Sequence, residues 1–344
     1  RHKSQGYDKD KFLKEAVKIE GVYVPSLYDI SYNYDGTIAS VDACDGAPAK
    51  VKKRIVGDLN TAYYPESFVV PYIDIVHDRA MSEVFRGCIR GCRFCQAGFI
   101  YRPVREKSPE VIDAQSRSLC ESTGYEEFSL SSLSTSDYSE IERLLPMLLD
   151  WAEDQQTNIS LPSLRIDGFS QELAARLNVL RRSGLTFAPE AGTQRLRDAI
   201  NKNLSEEEIL DTARKAFSAG WTSVKLYFMN GLPTETMEDI EGIAELGQKI
   251  VDCYYQNPNR LKGKGVNVTI SVACFVPKPF TPFQWEPQDT IEVLQQKQKH
   301  LRNSLTTRKI TLRRFNQLSG GGYCTGRPAA VWGYGGSVSP RMQA

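Results

Sequence analysis

From residue 78 to residue 276 the chain alternates short apolar runs with amphipathic stretches, at about thirty residues per unit. No other feature limits its fold as much. Six strands are expected: "SEVFRG", "EEFSLSSLS", "NISLPSLRI", "LTFAPEAG", "TSVKLYFMNG" and "VNVTISVACFVP". Helices separate them. Ser108 followed by Pro109 opens one over 108–122. A Ser139-x-x-Glu142 capping box opens another over 139–154. "SQELAARLNVLRRSG" reads as a helix stopped by Gly184, and "GTQRLRDAIN" as a short one. Ser205 and Glu208 cap a helix over 205–220 with Ile209, Ala213 and Phe217 on one face, and 237–255 is helical with Ile240, Ile243 and Ile250 inward. Such alternation predicts a parallel α/β sheet, open or curled into a barrel. Either form places ligands at the C-terminal ends of the strands. Polar residues cluster there: Cys88, then Ser131, Ser132 and Ser134, then Ser163 and Arg165, then Glu190, then Asn230.

The flanks read differently. Residues 1–77 form a small cap or linker. In it "GVYVPSLYDISYNYDG" predicts a hairpin that turns at Asp35-Gly36, with "AKVKKRIV" as the partner strand. Residues 78–288 form the core, and 289–316 supply a helix and a strand as a C-terminal extension. Residues 317–344 hold seven Gly and no acid, which reads as a disordered or aberrant tail. A shifted frame or truncated gene is the alternative, and sequencing the locus tests it. The chain starts at Arg1, so its natural N-terminus is expected to be missing.

The 344 residues carry 43 Lys and Arg against 42 Asp and Glu, which excludes a uniformly basic nucleic-acid coat protein. Every acid precedes residue 293, leaving nine cations and no acid in 293–344. A solvated helix face accounts for that stretch better than an RNA contact. No apolar run is long enough for a membrane helix, and no charged-then-apolar leader is visible, so the expected location is the cytoplasm.

Three of the eight cysteines fall within eight residues, in "FRGCIRGCRFCQAGFIYRPVRE": Cys88, Cys92 and Cys95. Clustering of this kind reads as metal chemistry in a reducing compartment. Gly87 and Gly91 let the backbone wrap a bulky centre. Three thiolates are one short of a fully ligated iron–sulfur cluster, which leaves one iron open. Arg86, Arg90 and Arg93 are expected to offset the negative charge of the thiolates. A zinc site completed by a remote His or Cys is the competing reading.

Cys88-x3-Cys92-x2-Cys95, with Phe94 before the third cysteine and a strand before the first, resembles the radical SAM superfamily. "LSSLSTSDYSEI", "TFAPEAGTQRLRDAINK", "KLYFMNGLPTET" and "FVPKPFTPFQWEPQ" are similar to one subgroup, whose members often carry an N-terminal cobalamin-binding-like domain. The resemblance implies a partial (β/α)6 barrel of the TIM type, a [4Fe–4S] cluster on Cys88, Cys92 and Cys95, and S-adenosylmethionine on the open iron. It implies a 5′-deoxyadenosyl radical that takes hydrogen from an unknown substrate, and an external flavodoxin- or ferredoxin-like electron donor. Cobalamin is not expected on this chain, since its domain would precede Arg1. Methyl or methylthio transfer to RNA or protein is a second reading within the family. A zinc-stapled α/β binding module is the reading outside it. Phe94 would pack near the adenine. Ser132 and Ser134 would stand in for the usual Gly-Gly-Glu type motif. Arg165 or Lys202 would meet the carboxylate, Glu190 the ribose, and the strand end at Met229 the adenine. Of the rim aromatics Phe280, Phe283 and Trp285, all three are expected to close the core.

Overall fold

The computed structural model describes residues 6, 8–73, 75–160, 185–260 and 263–314. The chain divides into two compact units, one ending at Gly57 and the other starting at Asp58. The first unit holds helix α1 (Lys9–Ala16) and a hairpin of β1 (Tyr28–Tyr32) and β2 (Ile38–Ala43). Asp8 caps α1 by accepting from the Asp10 and Lys11 amides at 3.1 Å. In the turn Gly36 has φ +81°, and the Asp35 carboxylate accepts from the Thr37 amide at 3.0 Å. The partner strand differs from the expected "AKVKKRIV". Because the Asp35-Gly36 turn sends the chain straight back, the adjacent run "IASVDA" pairs first, Tyr28 opposite Ala43.

The second unit opens with β3 (Ala80–Glu83). The short strands β4 (Phe85–Arg86) and β5 (Arg105–Glu106) then pair antiparallel and bracket the cysteine loop and its one-turn helix α2 (Ala97–Ile100). Next come α3 (Pro109–Thr123), β6 (Glu127–Ser131), α4 (Ile141–Asp154) and β7 (Asn158–Ser160). β8 (Leu185–Glu190), α5 (Gln194–Ala199), α6 (Glu206–Ser218), β9 (Ser223–Asn230), α7 (Met237–Gln256), β10 (Asn267–Cys274), α8 (Ile291–Ser304) and β11 (Ile310–Arg314) complete it. Two all-parallel arcs result, β3-β6-β7 and β8-β9-β10-β11, each in chain order. This is the expected partial α/β barrel. Strand β11, read from the sequence as part of an extension, continues the barrel sheet beside β10. Arg165, Ser163, the helix expected before Gly184 and the tail 317–344 lie outside the described residues.

Alternate strand residues face the helices and form the core. Phe128 and Leu130 of β6 pack on Leu144, Leu145 and Leu148 of α4, with the Phe128 and Trp151 rings 5.1 Å apart. Val224, Leu226 and Phe228 of β9 and Val268 and Ile270 of β10 pack on Ile243, Leu246 and Ile250 of α7. Burying each of these side chains contributes roughly 1.5–3 kcal/mol. The capping box at Ser205 and Glu208 forms as expected. The one at Ser139 does not. Both the amide and the hydroxyl of Ser139 donate to the Glu106 carboxylate, so α4 starts two residues later, at Ile141. No helix among the described residues is long and apolar enough to cross a membrane.

Where β8 ends, the chain runs hard against α7. A Cβ on Gly192 would lie 2.6 Å from the Asp239 carbonyl oxygen and 2.5 Å from the Gly242 carbonyl carbon, both rigid backbone. Gly192→Ala should therefore destabilise the fold by about 1–3 kcal/mol or more, the cost of overpacking a rigid site. Urea unfolding measures this; a midpoint equal to wild type would show that α7 can shift aside.

Candidate functional site

The cysteine loop is held at both ends of its arc. Gly87 adopts φ +97°, and a Cβ there would lie 2.9 Å from the Tyr101 carbonyl oxygen. A Cβ on Gly98 would lie 2.6 Å from the Arg90 carbonyl oxygen. Both positions need glycine for the loop to close this tightly. On one side the Arg93 amide donates to the Ile200 carbonyl at 3.0 Å, and the Asn201 side-chain amide to the Gly91 carbonyl at 2.8 Å. On the other, Gln96 donates to the Pro279 carbonyl at 3.1 Å, and the Phe283 amide to the Arg93 carbonyl at 3.2 Å.

Within this frame Cys88, Cys92 and Cys95 line one cavity of about 370 Å³, at the C-terminal ends of the strands. Cys92 is buried; Cys88 and Cys95 are half-buried. Phe94, Ser134, Glu190 and Lys202 line the same cavity. Ser132 instead shares a hydroxyl–hydroxyl hydrogen bond of 2.8 Å with Thr135, which fixes the turn carrying Ser134. Met229 packs beside Phe94 on a small cluster of Ile200, Leu232, Phe275 and Phe283. Cavity residues that sequence reasoning missed include Thr186 of β8 and Tyr227 of β9. Their signal was the alternation of polar with apolar residues in strands that, in a doubly covered parallel sheet, usually read as continuous apolar runs.

Two expectations need correction. Two of the three arginines are paired with carboxylates rather than free beside the thiols, and of the three only Arg90 lines the cavity. Arg86 forms a two-pronged ion pair with Glu83 at 2.8 and 3.0 Å, Arg90 pairs with Asp137 at 2.9 Å, and Arg93 donates to the Ala199 carbonyl at 2.6 Å. Burial pushes the Cys92 thiol up, and the cation that pulls it back is Lys202. Nor do all three rim aromatics close the core. Phe283 does, edge-on to Phe275 at 6.0 Å, whereas Phe280 and Trp285 are more than half exposed. Phe280 sits at φ +64° in the Pro279–Pro282 bend, which turns its side chain outward.

Glu190 has φ +69°, in the left-handed region rare for a residue with a side chain, just past an irregularity in the β8–β9 register. Its carboxylate pairs with Lys202 at 3.2 Å. Burial pushes the Glu190 carboxyl up, and Lys202 opposes that. At the end of β9, Gly231 has φ +79° and its amide donates to Glu235 at 2.7 Å. Lys297 of α8, itself buried, bonds Glu235 at 2.8 Å and Asp289 at 2.7 Å. A buried ion cluster thus fixes the strand end beside Met229.

Residues 82–247 match the model of the radical SAM superfamily. The matched stretch runs from β3 through most of α7. An uncharacterized protein of Methanocaldococcus jannaschii is 36% identical over 207 residues, which is 60% of this chain and 43% of that protein. The chain thus spans less than half the length of this curated relative. Among solved structures, the radical S-adenosylmethionine methyltransferase TsrM of Kitasatospora setae, with cobalamin and a [4Fe–4S] cluster bound, gives a TM-score of 0.47 at 13% identity, over 60% of this chain and 39% of that one. Coproporphyrinogen III oxidase of Escherichia coli, a radical SAM enzyme, gives 0.41 at 16% identity, over 66% and 53%.

The superfamily's cofactors are a [4Fe–4S] cluster and S-adenosylmethionine. The residues fit them: three thiols face a cavity of ligand size, next to an aromatic ring, a buried hydroxyl and an ion pair. Among the described residues no three His, Cys, Asp or Glu side chains converge as ligands of a single metal ion must.

The ion cluster at β9 gives a prediction. Lys297→Met leaves the Glu235 carboxylate buried without its cation and should cost about 3–5 kcal/mol of stability. Exposed Lys299→Met should stay within about 0.5 kcal/mol of wild type. Paired urea titrations measure both, and equal effects would mean that the cluster does not hold the strand end.

Proposed function

We propose that this domain holds a [4Fe–4S] cluster on Cys88, Cys92 and Cys95 and binds S-adenosylmethionine beside it, as an enzyme acting on a substrate still to be identified. Given an electron from an external flavodoxin- or ferredoxin-like donor, the bound cofactors supply cleavage of the C5′–S bond, giving methionine and a 5′-deoxyadenosyl radical that takes a hydrogen atom from the substrate. The observation that carries this reading is the shared cavity: all three thiols open onto the space lined by Phe94, Ser134, Glu190 and Lys202.

The chain's own residues bind and orient. Phe94 offers a face to the adenine, and the backbone at Met229 offers it an edge. Ser134, buried and on the turn fixed by Ser132, presents a hydroxyl to the amino group. Lys202 receives the ligand carboxylate. Glu190 accepts from the ribose hydroxyls while keeping Lys202 in place. The Phe275–Phe283 wall behind Phe94 excludes water from this side.

Anaerobic reconstitution should give about four irons per chain and a broad brown absorbance near ~400 nm. Cys92→Ala should lose nearly all of that iron. With dithionite and S-adenosylmethionine the wild type should release 5′-deoxyadenosine. A colourless protein holding one zinc would overturn the proposal.

A further inference from the structure

One ion pair beside the thiols is built unlike its neighbours. Arg90 lies between Cys88 and Cys92 in the chain and lines the cavity that the three thiols share. Its backbone amide donates to the Cys88 sulfur at 3.4 Å. Its guanidinium meets Asp137 in a fork: Nε donates to Oδ2 at 2.9 Å, and Nη2 donates to Oδ1. A single residue thus brings both an N–H dipole and a cation to the thiol site. Asp137 ends a one-turn 3-10 helix, Thr135–Asp137, that follows β6. Its amide donates to the Ser134 carbonyl at 2.9 Å, so the same turn carries the buried Ser134 hydroxyl. The fork therefore ties the cysteine loop to the turn after β6.

Solvent separates this pair from the one at Arg86. The Arg86 and Glu83 side chains are 42% and 36% exposed, so water and salt screen them. The Asp137 side chain is only 7% exposed, and that of Arg90 is 32% exposed. Charges with so little water around them act through a lower effective dielectric and reach further. Among the described residues Arg90 lines the cavity and Asp137 does not, so the cation is the nearer member of the pair to the thiols. Lys202 and Glu190 form the second pair on this cavity, and there the cation acts on Cys92. Arg90 is the cation joined to Cys88.

We propose that Arg90, held in place by Asp137, sets the reduction potential of the cluster on Cys88, Cys92 and Cys95, with Asp137 as a positioning residue that acts through Arg90. Reduction takes one electron from the external donor and moves no atom or proton, so it adds one negative charge beside Arg90. The cation stabilises that added charge, and the amide bond to the Cys88 sulfur works in the same direction. The Asp137 carboxylate opposes it by offsetting part of the guanidinium's field. The pair therefore keeps the potential below what an arginine without its carboxylate would give, and above what the carboxylate without its arginine would give. This rests on the radical SAM reading above.

The test is an anaerobic redox titration of the reconstituted chain without S-adenosylmethionine, with the reduced cluster followed by electron paramagnetic resonance. Asp137→Asn keeps the shape and one acceptor but removes the opposing charge. It should favour reduction at least about threefold, a rise of ~28 mV at 59 mV per tenfold for one electron. Arg90→Gln leaves the carboxylate without its cation and should disfavour reduction at least about threefold. The double variant, which lacks both charges, should fall between the two single variants. A pair that only braces the loop would move both single variants in the same direction, or neither. Shifts of the same sign, or a rise of less than about threefold in Asp137→Asn, overturn the proposal. If Arg90→Gln does not retain its iron, the near-isosteric Asp137→Asn decides alone. A wild type that takes up no cluster overturns the radical SAM reading and this proposal with it, whereas a wild-type cluster whose potential ignores Asp137→Asn overturns this proposal only.

Discussion

The site depends on how the cysteine loop is seated on the segment that follows β8. The Ile200 carbonyl accepts from the Arg93 amide, and the Asn201 side-chain amide donates to the Gly91 carbonyl. These bonds join two parts of the chain more than a hundred residues apart. They fix the middle of the thiol arc against the residues just before Lys202. Glu190 and Lys202 enclose that same segment, so the polar groups of the cavity cannot move without moving the cysteines. Gly192, pressed against the backbone of α7, anchors the segment from behind. One chain of rigid contacts therefore runs from the core helix, through the loop after β8, to the thiols.

Most of the barrel was legible because its signals are local. Strand alternation, the Ser205 capping box and the proline after Ser108 each act within a turn or two, and the structure keeps all of them. The misreadings came where a distant group competed for a local signal. Ser139 had the sequence of a helix cap, but Glu106 took its hydroxyl. "AKVKKRIV" had the look of a strand, but "IASVDA" came sooner after the turn. The arginines around the thiols had the look of free cations, but Glu83 and Asp137 had already claimed two of them. A single sequence shows which groups could interact, and it does not rank distant partners by distance.

The same reasoning separates the parts of the site. Cysteine spacing is a covalent property of the chain, so Cys88, Cys92 and Cys95 could be singled out without a fold. Glu190 and Lys202 could be named from their places after a strand, but not their pairing, which needs the left-handed turn at Glu190 to aim the carboxylate. Tyr227 and Lys225 went unnoticed because a polar residue in a strand ordinarily marks a solvated face. Only the placing of Tyr227 on the thiol cavity shows that this face is part of the site.

The fold also changes the meaning of the basic C-terminal stretch. A nucleic-acid surface needs its cations displayed together on one exposed face. Lys297 instead lies buried between Glu235 and Asp289, where it braces the end of β9. Arg313, by its register on β11, shares a face with Tyr227 rather than with the outer helices. His300, in the same helix as Lys297, is tied to Glu241. The positive charge of this stretch is thus divided: Lys297 sits in a buried ion cluster, and Arg313 lies on the Tyr227 face of the sheet. Lys299, Arg302, Arg308 and Lys309 stay exposed.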